Sequence, residues 1–193
     1  HDLEAALKQS GKTFADYKKT SFSSRKEKML RLADFLRKNS ADYASLICSE
    51  MGKRLSEADA EVMKCAWVCE YYAQHAESFL TGREEQSDAK KSYVLYEPIG
   101  SILAVMPWNF PFWQVFRFAA PTLIAGNTGI LKHAPNVFGS AQMIAGVFKK
   151  AGFPDGVFQN LIVHHDKTES IIIIRITANI LDRMVLFFLK RKK

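Results

Sequence analysis

The strongest constraint on this chain lies between residues 99 and 162, where strand-like apolar runs alternate with stretches of helical length. Ile102-Leu103-Ala104-Val105, Gly129-Ile130-Leu131 and Val157-Phe158-Gln159-Asn160-Leu161-Ile162 read as strands. Phe112 to Ala125 and Val137 to Lys150 fill the gaps with helical periodicity, closed by Gly126-Asn127 and by Ala151-Gly152-Phe153-Pro154-Asp155-Gly156. An apolar strand without polar alternation must be covered on both faces, which a parallel sheet between helices provides. The order βαβαβ therefore predicts an α/β fold: an incomplete part of a doubly wound, Rossmann-like parallel sheet. Pro121 falls inside the first of the two helices and predicts a kink or a shift in its hydrogen bonding.

Before this unit the periodicity is helical throughout. Met29, Leu32, Ala33 and Leu36 make one apolar stripe, and Tyr43, Leu46 and Ile47 make a second behind the cap candidate Ser40. A third helix is expected from about Glu57 to Ser78 with Ser56 as N-cap, its stripe formed by Val62, Cys65, Ala66, Cys69, Tyr72, Ala73 and Ala76. Thr81 to Lys91 is polar without periodicity and reads as a surface loop, and Tyr93-Val94-Leu95-Tyr96 reads as a strand. The organisation expected is a helical part at 1–91, a strand suited to oligomerisation at 92–98, the Rossmann-like part at 99–170, and an apolar and basic tail at 171–193.

Composition narrows the function classes. The hydrophobic share of 48% is ample for a core. The net charge of +7 is scattered, apart from Lys190-Arg191-Lys192-Lys193, and no nucleic-acid motif accompanies it, so no nucleic-acid partner is expected. The three cysteines, Cys48, Cys65 and Cys69, sit on helices, which suits free thiols in a reducing, cytoplasmic setting. Cys65 and Cys69 at i and i+4 lack the about four ligands a metal needs, since only His75 is near, so they read as core and no metal is expected. The stretch Ile171 to Leu189 is apolar, but Arg175, Asp182 and Arg183 interrupt it and argue against a membrane span.

In an open parallel sheet, ligands bind beyond the carboxyl ends of the strands, so the loops that matter are Met106 to Pro111 and Lys132 to Asn136. No G-x-G-x-x-G follows the first strand, so a nucleotide must bind in another way. Instead Pro107 and Pro111 bracket Trp108-Asn109-Phe110 and restrict the backbone around the Asn109 amide. A primary amide donates without ionising, which suits it to an oxyanion; a helix cap is its commoner use at such a place. Lys132 ends the second strand and can reach a ribose or a phosphate, although most lysines are simply solvated. His133 is a weaker candidate. Trp108, Phe110, Phe112, Trp113, Phe116 and Phe118 are expected mostly to pack the helix against the sheet.

With these loops in view, the chain resembles the aldehyde dehydrogenase superfamily, most closely its succinate-semialdehyde dehydrogenase-like branch. The resemblance rests on Tyr96-Glu97-Pro98-Ile99-Gly100, Pro107-Trp108-Asn109-Phe110-Pro111, Ala125-Gly126-Asn127 before Leu131-Lys132, and Ala151-Gly152-Phe153-Pro154-Asp155-Gly156-Val157, and covers about residues 10 to 170. It implies oxidation of an aldehyde to an acid by a cysteine nucleophile, with NAD or NADP as acceptor. It further implies that Asn109 is the oxyanion donor, that Lys132 bonds the adenosine ribose, and that Val105, Met106, Pro107 and Trp108 line the cofactor cleft. Many NAD-preferring members place a glutamate where this chain has Pro135, so a 2′-phosphate would meet no repulsion here. A family-type homo-oligomer is a further implication. After Ser170 the family pattern is lost, and with it the glutamate base and the nucleophilic cysteine, which predicts a truncated chain without turnover. The rival expectation is a non-catalytic interaction module that pairs through the Tyr93 to Tyr96 strand.

Overall fold

The computed structural model describes residues 3–163. The tail at 171–193, and the readings that concern it, lie outside these residues. Four helices come first: α1 (Leu3–Tyr17), α2 (Phe22–Lys38), α3 (Ser40–Met51) and α4 (Leu55–Leu80). A small antiparallel pair follows, β1 (Arg83–Glu85) with β2 (Ser92–Val94). Then come β3 (Ser101–Met106), α5 (Trp113–Ile124), β4 (Thr128–His133), a 3-10 turn (Pro135–Val137), α6 (Phe138–Lys150) and β5 (Phe158–Asn160). Strands β3, β4 and β5 form one parallel sheet in that spatial order, as the alternation predicts.

The helical stripes become the core. Helix α4 packs against α2, α3 and α5, which buries Met29, Leu32 and Leu36 of α2, Ile47 of α3 and Val62 and Cys65 of α4 completely. On the sheet side, Phe148 of α6 stacks on Phe158 at 4.2 Å between ring centroids and on Phe116 of α5 at 5.5 Å, with Phe153 edge-on at 5.5 Å. These rings tie both crossover helices to β5; truncating one of them to alanine costs about 3–5 kcal/mol in comparable cores.

Several boundaries move for physical reasons. Helix α1 adds an element that the apolar stripes, counted from Met29, do not single out. Its inward face runs through Leu3, Ala6, Leu7, Phe14 and Tyr17, and is interrupted by Ser10, whose hydroxyl pairs at 2.8 Å with those of Ser101 and Thr128. Asn39, not Ser40, occupies the cap position of α3, and its amide instead serves the end of α2 by donating to the Phe35 carbonyl at 2.8 Å. Helix α4 starts at Leu55 behind Arg54, without a side-chain cap from Ser56. The expected loop over Thr81 to Lys91 contains β1, a fully exposed Arg-Glu-Glu strand that has no hydrophobic face to advertise it. Its partner covers Ser92–Val94, so Leu95 and Tyr96 fall beyond the ladder. Pro121 is accommodated inside α5, and the Ala125 N–H still donates to its carbonyl at 3.2 Å.

Candidate functional site

The loops after β3 and β4 leave the same edge of the sheet, because the two strands are parallel neighbours. Their register sets Val105 beside Lys132 and Met106 beside His133. Partners in a parallel ladder project to the same side, so Val105 and Lys132 share one face at the carboxyl end. Val105 is 47% exposed there. Lys132 is only 6% exposed, and its side chain makes no hydrogen bond or ion pair with any other described residue. A lysine buried along its stem, whose head is committed to no other described residue, is suited to an acceptor brought by a ligand. Pro135 is exposed at the first position of the 3-10 turn, where its missing N–H is harmless.

The segment Met106 to Pro111 forms the other wall. Pro107, Trp108, Asn109 and Phe110 are exposed and Met106 is half-buried. Thus Trp108 and Phe110 stay at the surface, while Phe112 and Phe116 of the same aromatic run are fully buried. The cap reading of Asn109 does not hold: the cap position of α5 is Phe112, without a side-chain bond of its own. That end of the helix is served from α4, where Glu61 Oε1 accepts from the Phe112 N–H at 2.9 Å and the Trp113 N–H at 3.0 Å. The Asn109 amide makes no hydrogen bond to another described residue, so its donors face outward uncommitted.

Four side chains hold these loops, of which sequence reasoning named only His133, as a weaker candidate. Glu61, with a side chain 2% exposed, pairs through Oε2 with the Lys53 ammonium, itself 8% exposed. That ammonium also lies 3.9 Å from the centre of the Phe110 ring. His133 bridges the two loops: its Nδ1 accepts from the Ala134 N–H at 2.9 Å, which leaves the proton on Nε2 to donate to the Pro111 carbonyl at 2.9 Å. Burial pushes the His133 pKa down, against the Pro111 bond, which favours the charged form. Glu50, at the end of α3, accepts from the Gly139 and Ser140 N–H groups at 2.5 and 2.9 Å and from the Ser140 hydroxyl at 2.6 Å, and so anchors the start of α6. One signal existed for Glu61: it lies on the stripe of α4, one turn before Cys65, and an acid on a core face asks for buried donors.

The cysteines are not placed for nucleophilic work. Cys65 and Cys69 are fully buried, and burial pushes both thiols far up. Cys48 is half-buried in α3. Among the described residues no three His, Cys, Asp or Glu side chains gather to hold a metal, and no helix is long and apolar enough to cross a membrane.

A family model, described as the aldehyde dehydrogenase family, matches residues 1–176. The chain belongs to the aldehyde dehydrogenase family. Among its relatives is a protein of Synechocystis sp. named "Probable succinate-semialdehyde dehydrogenase [NADP(+)]", 48% identical over 84% of this chain and 36% of its own length. The Escherichia coli protein "Succinate semialdehyde dehydrogenase [NAD(P)+] Sad" is 43% identical over 89% of this chain and 37% of its own. Among solved structures of aldehyde dehydrogenases, succinic semialdehyde dehydrogenase from Streptococcus pyogenes, in complex with NADP+, superimposes with a TM-score of 0.84 at 34% identity, over 88% of this chain and 38% of that one. This aldehyde dehydrogenase chain thus spans a little over a third of the length of the relatives it matches.

Proposed function

We propose that this chain supplies the adenosine-ribose side of the cofactor cleft and the oxyanion donor of an NAD(P)-dependent aldehyde dehydrogenase that oxidises succinate semialdehyde to succinate. The observation that carries the reading is the pair of loops at one sheet edge. Lys132 offers an ammonium on a buried stem that is committed to no other described residue, and Asn109 offers an uncommitted amide on a restrained backbone. Nicotinamide, when bound, supplies the hydride acceptor for the reaction. The residues of this chain do the rest of the local work: Lys132 donates to ribose oxygens, Val105, Met106, Pro107 and Trp108 line the cleft, and Asn109 donates to the oxygen that gains charge as the carbonyl becomes tetrahedral. Pro135 presents no carboxylate, so a ribose 2′-phosphate is accepted, in line with the NADP+ named for relatives. None of the three cysteines is placed as the nucleophile, and no turnover is expected from these 193 residues alone.

Titration calorimetry with ADP-ribose and its 2′-phosphate tests the binding claim. Both should bind, and Lys132→Ala should weaken both about 10- to 100-fold, the range of one charge-assisted hydrogen bond. Absence of binding, or binding indifferent to Lys132, would sink the reading. Reduced cofactor appearing with succinate semialdehyde would refute the expectation of no turnover. The alternative, an interaction module, draws on Tyr93, Leu95 and Tyr96, all about half exposed beside the β1–β2 pair. It requires oligomers that grow with concentration and no affinity for either nucleotide.

A further inference from the structure

We infer that Lys53 and Glu61 are positioning residues for the Asn109 loop, an inference that rests on the oxyanion role proposed for that amide. Each of the four residues after Asn109 is held by at least one contact from outside its own loop. The Phe110 ring lies under the Lys53 ammonium at 3.9 Å, and the Pro111 carbonyl accepts from His133 at 2.9 Å. The Phe112 and Trp113 N–H groups both donate to Glu61 Oε1, at 2.9 and 3.0 Å. The Lys53 ammonium closes the set by pairing with the other oxygen of the same carboxylate. Asn109, by contrast, carries no such tether on its side chain.

This division of labour has a physical logic. A buried ion pair is a poor source of net stability, because two desolvation costs offset its attraction, and an apolar pair of the same volume often does as well. What the pair adds is geometry. One carboxylate oxygen shared by two consecutive N–H groups sets where α5 begins, and the lysine fixes that carboxylate while it covers the ring next to Asn109. An oxyanion donor needs this kind of rigidity, since a misplacement of about 1 Å can cost about 100-fold in rate. The clamp lies on α4 and the α3–α4 connection, remote in sequence from the loop it serves and outside the ribose side at Lys132.

Amide NMR and hydrogen exchange on the intact chain test the assignment without cofactor or substrate, so their outcome is separate from that of the nucleotide titration. Glu61→Gln should move the Phe112 and Trp113 N–H signals upfield and speed their exchange roughly 10- to 100-fold. The Asn109 side-chain amide signals should shift or broaden, while α2 and α6 keep their protection. Lys53→Met should reproduce the Asn109 change, and Lys53→Arg, which keeps the charge, should restore the wild-type signals. If Glu61→Gln does not fold, the Lys53 pair of variants decides alone. Unchanged Asn109 signals in Lys53→Met, or a loss of protection spread equally over α2, α4 and α6, overturns the assignment in favour of a plain stability role.

Discussion

Replacing Glu50 with alanine removes the acceptor for three donors at the start of α6: the Gly139 N–H, the Ser140 N–H and the Ser140 hydroxyl. Loss of a side-chain cap costs about 1 kcal/mol, and loss of a carboxylate at a helix N-terminus about 0.5 kcal/mol more. Ser140 is fully buried, so its hydroxyl cannot turn to water, and stranding it adds about 1–3 kcal/mol. The expected total is about 3 kcal/mol, or a Tm lower by about 6–12 °C for a domain of this size. A second perturbation meets the same contact from the other side: a Cβ at Gly139 would stand 2.8 Å from Glu50 Oε1. Gly139→Ala should therefore destabilise the wild type yet cost less once Glu50 is gone, with a coupling of about 1 kcal/mol. Urea unfolding of the four proteins, followed by circular dichroism, measures both terms. A loss below about 0.5 kcal/mol in Glu50→Ala, or strict additivity, would show that water replaces the carboxylate and that the cap argument is wrong.

Further outcomes follow from the same structure. His133 is held neutral, with its pKa below the ordinary value of about 6.5, so its contribution to stability is present above that value and lost as pH falls toward its lowered folded pKa. Glu50 opposes this shift and Lys132 adds to it; urea unfolding near pH 7.5 and pH 5.5 should show a decline on acidification that is smaller in His133→Gln, and an equal decline would count against it. Cys65 and Cys69 should resist iodoacetamide in the folded chain and react after denaturation, as mass spectrometry can read; native labelling of either would contradict their burial. Gly156→Ala should cost about 2 kcal/mol by thermal unfolding, since φ is +90° and the added Cβ would lie 2.5 Å from Thr13 Oγ1.

Much of the fold was legible in the chain. The βαβαβ alternation and the stripes of α2, α3 and α4 are local patterns, written in residues three or four apart or in unbroken apolar runs, and local backbone geometry converts them directly into elements. The two loops of interest were legible for the same reason, because they follow β3 and β4 in a parallel sheet. Elements whose partners are polar were not. The Ser10 side chain of α1 is satisfied by hydroxyls more than ninety positions away, and β1 is a polar strand made regular only by pairing with β2.

The cap at α5 draws the boundary most clearly. The amino-acid sequence by itself determined that a helix starts near Phe112, and that two prolines restrain the amide before it. It also determined family membership, through motifs that survive without coordinates. Only the tertiary structure decided that Glu61, about fifty residues upstream, receives the first N–H groups of α5, and that Asn109 is thereby left uncommitted. It alone showed Lys132 as a lysine buried along its stem and His133 as the bridge between the loops. The reason is physical: periodicity records which way a side chain faces along its own element, whereas a long-range hydrogen bond depends on where a second element comes to rest.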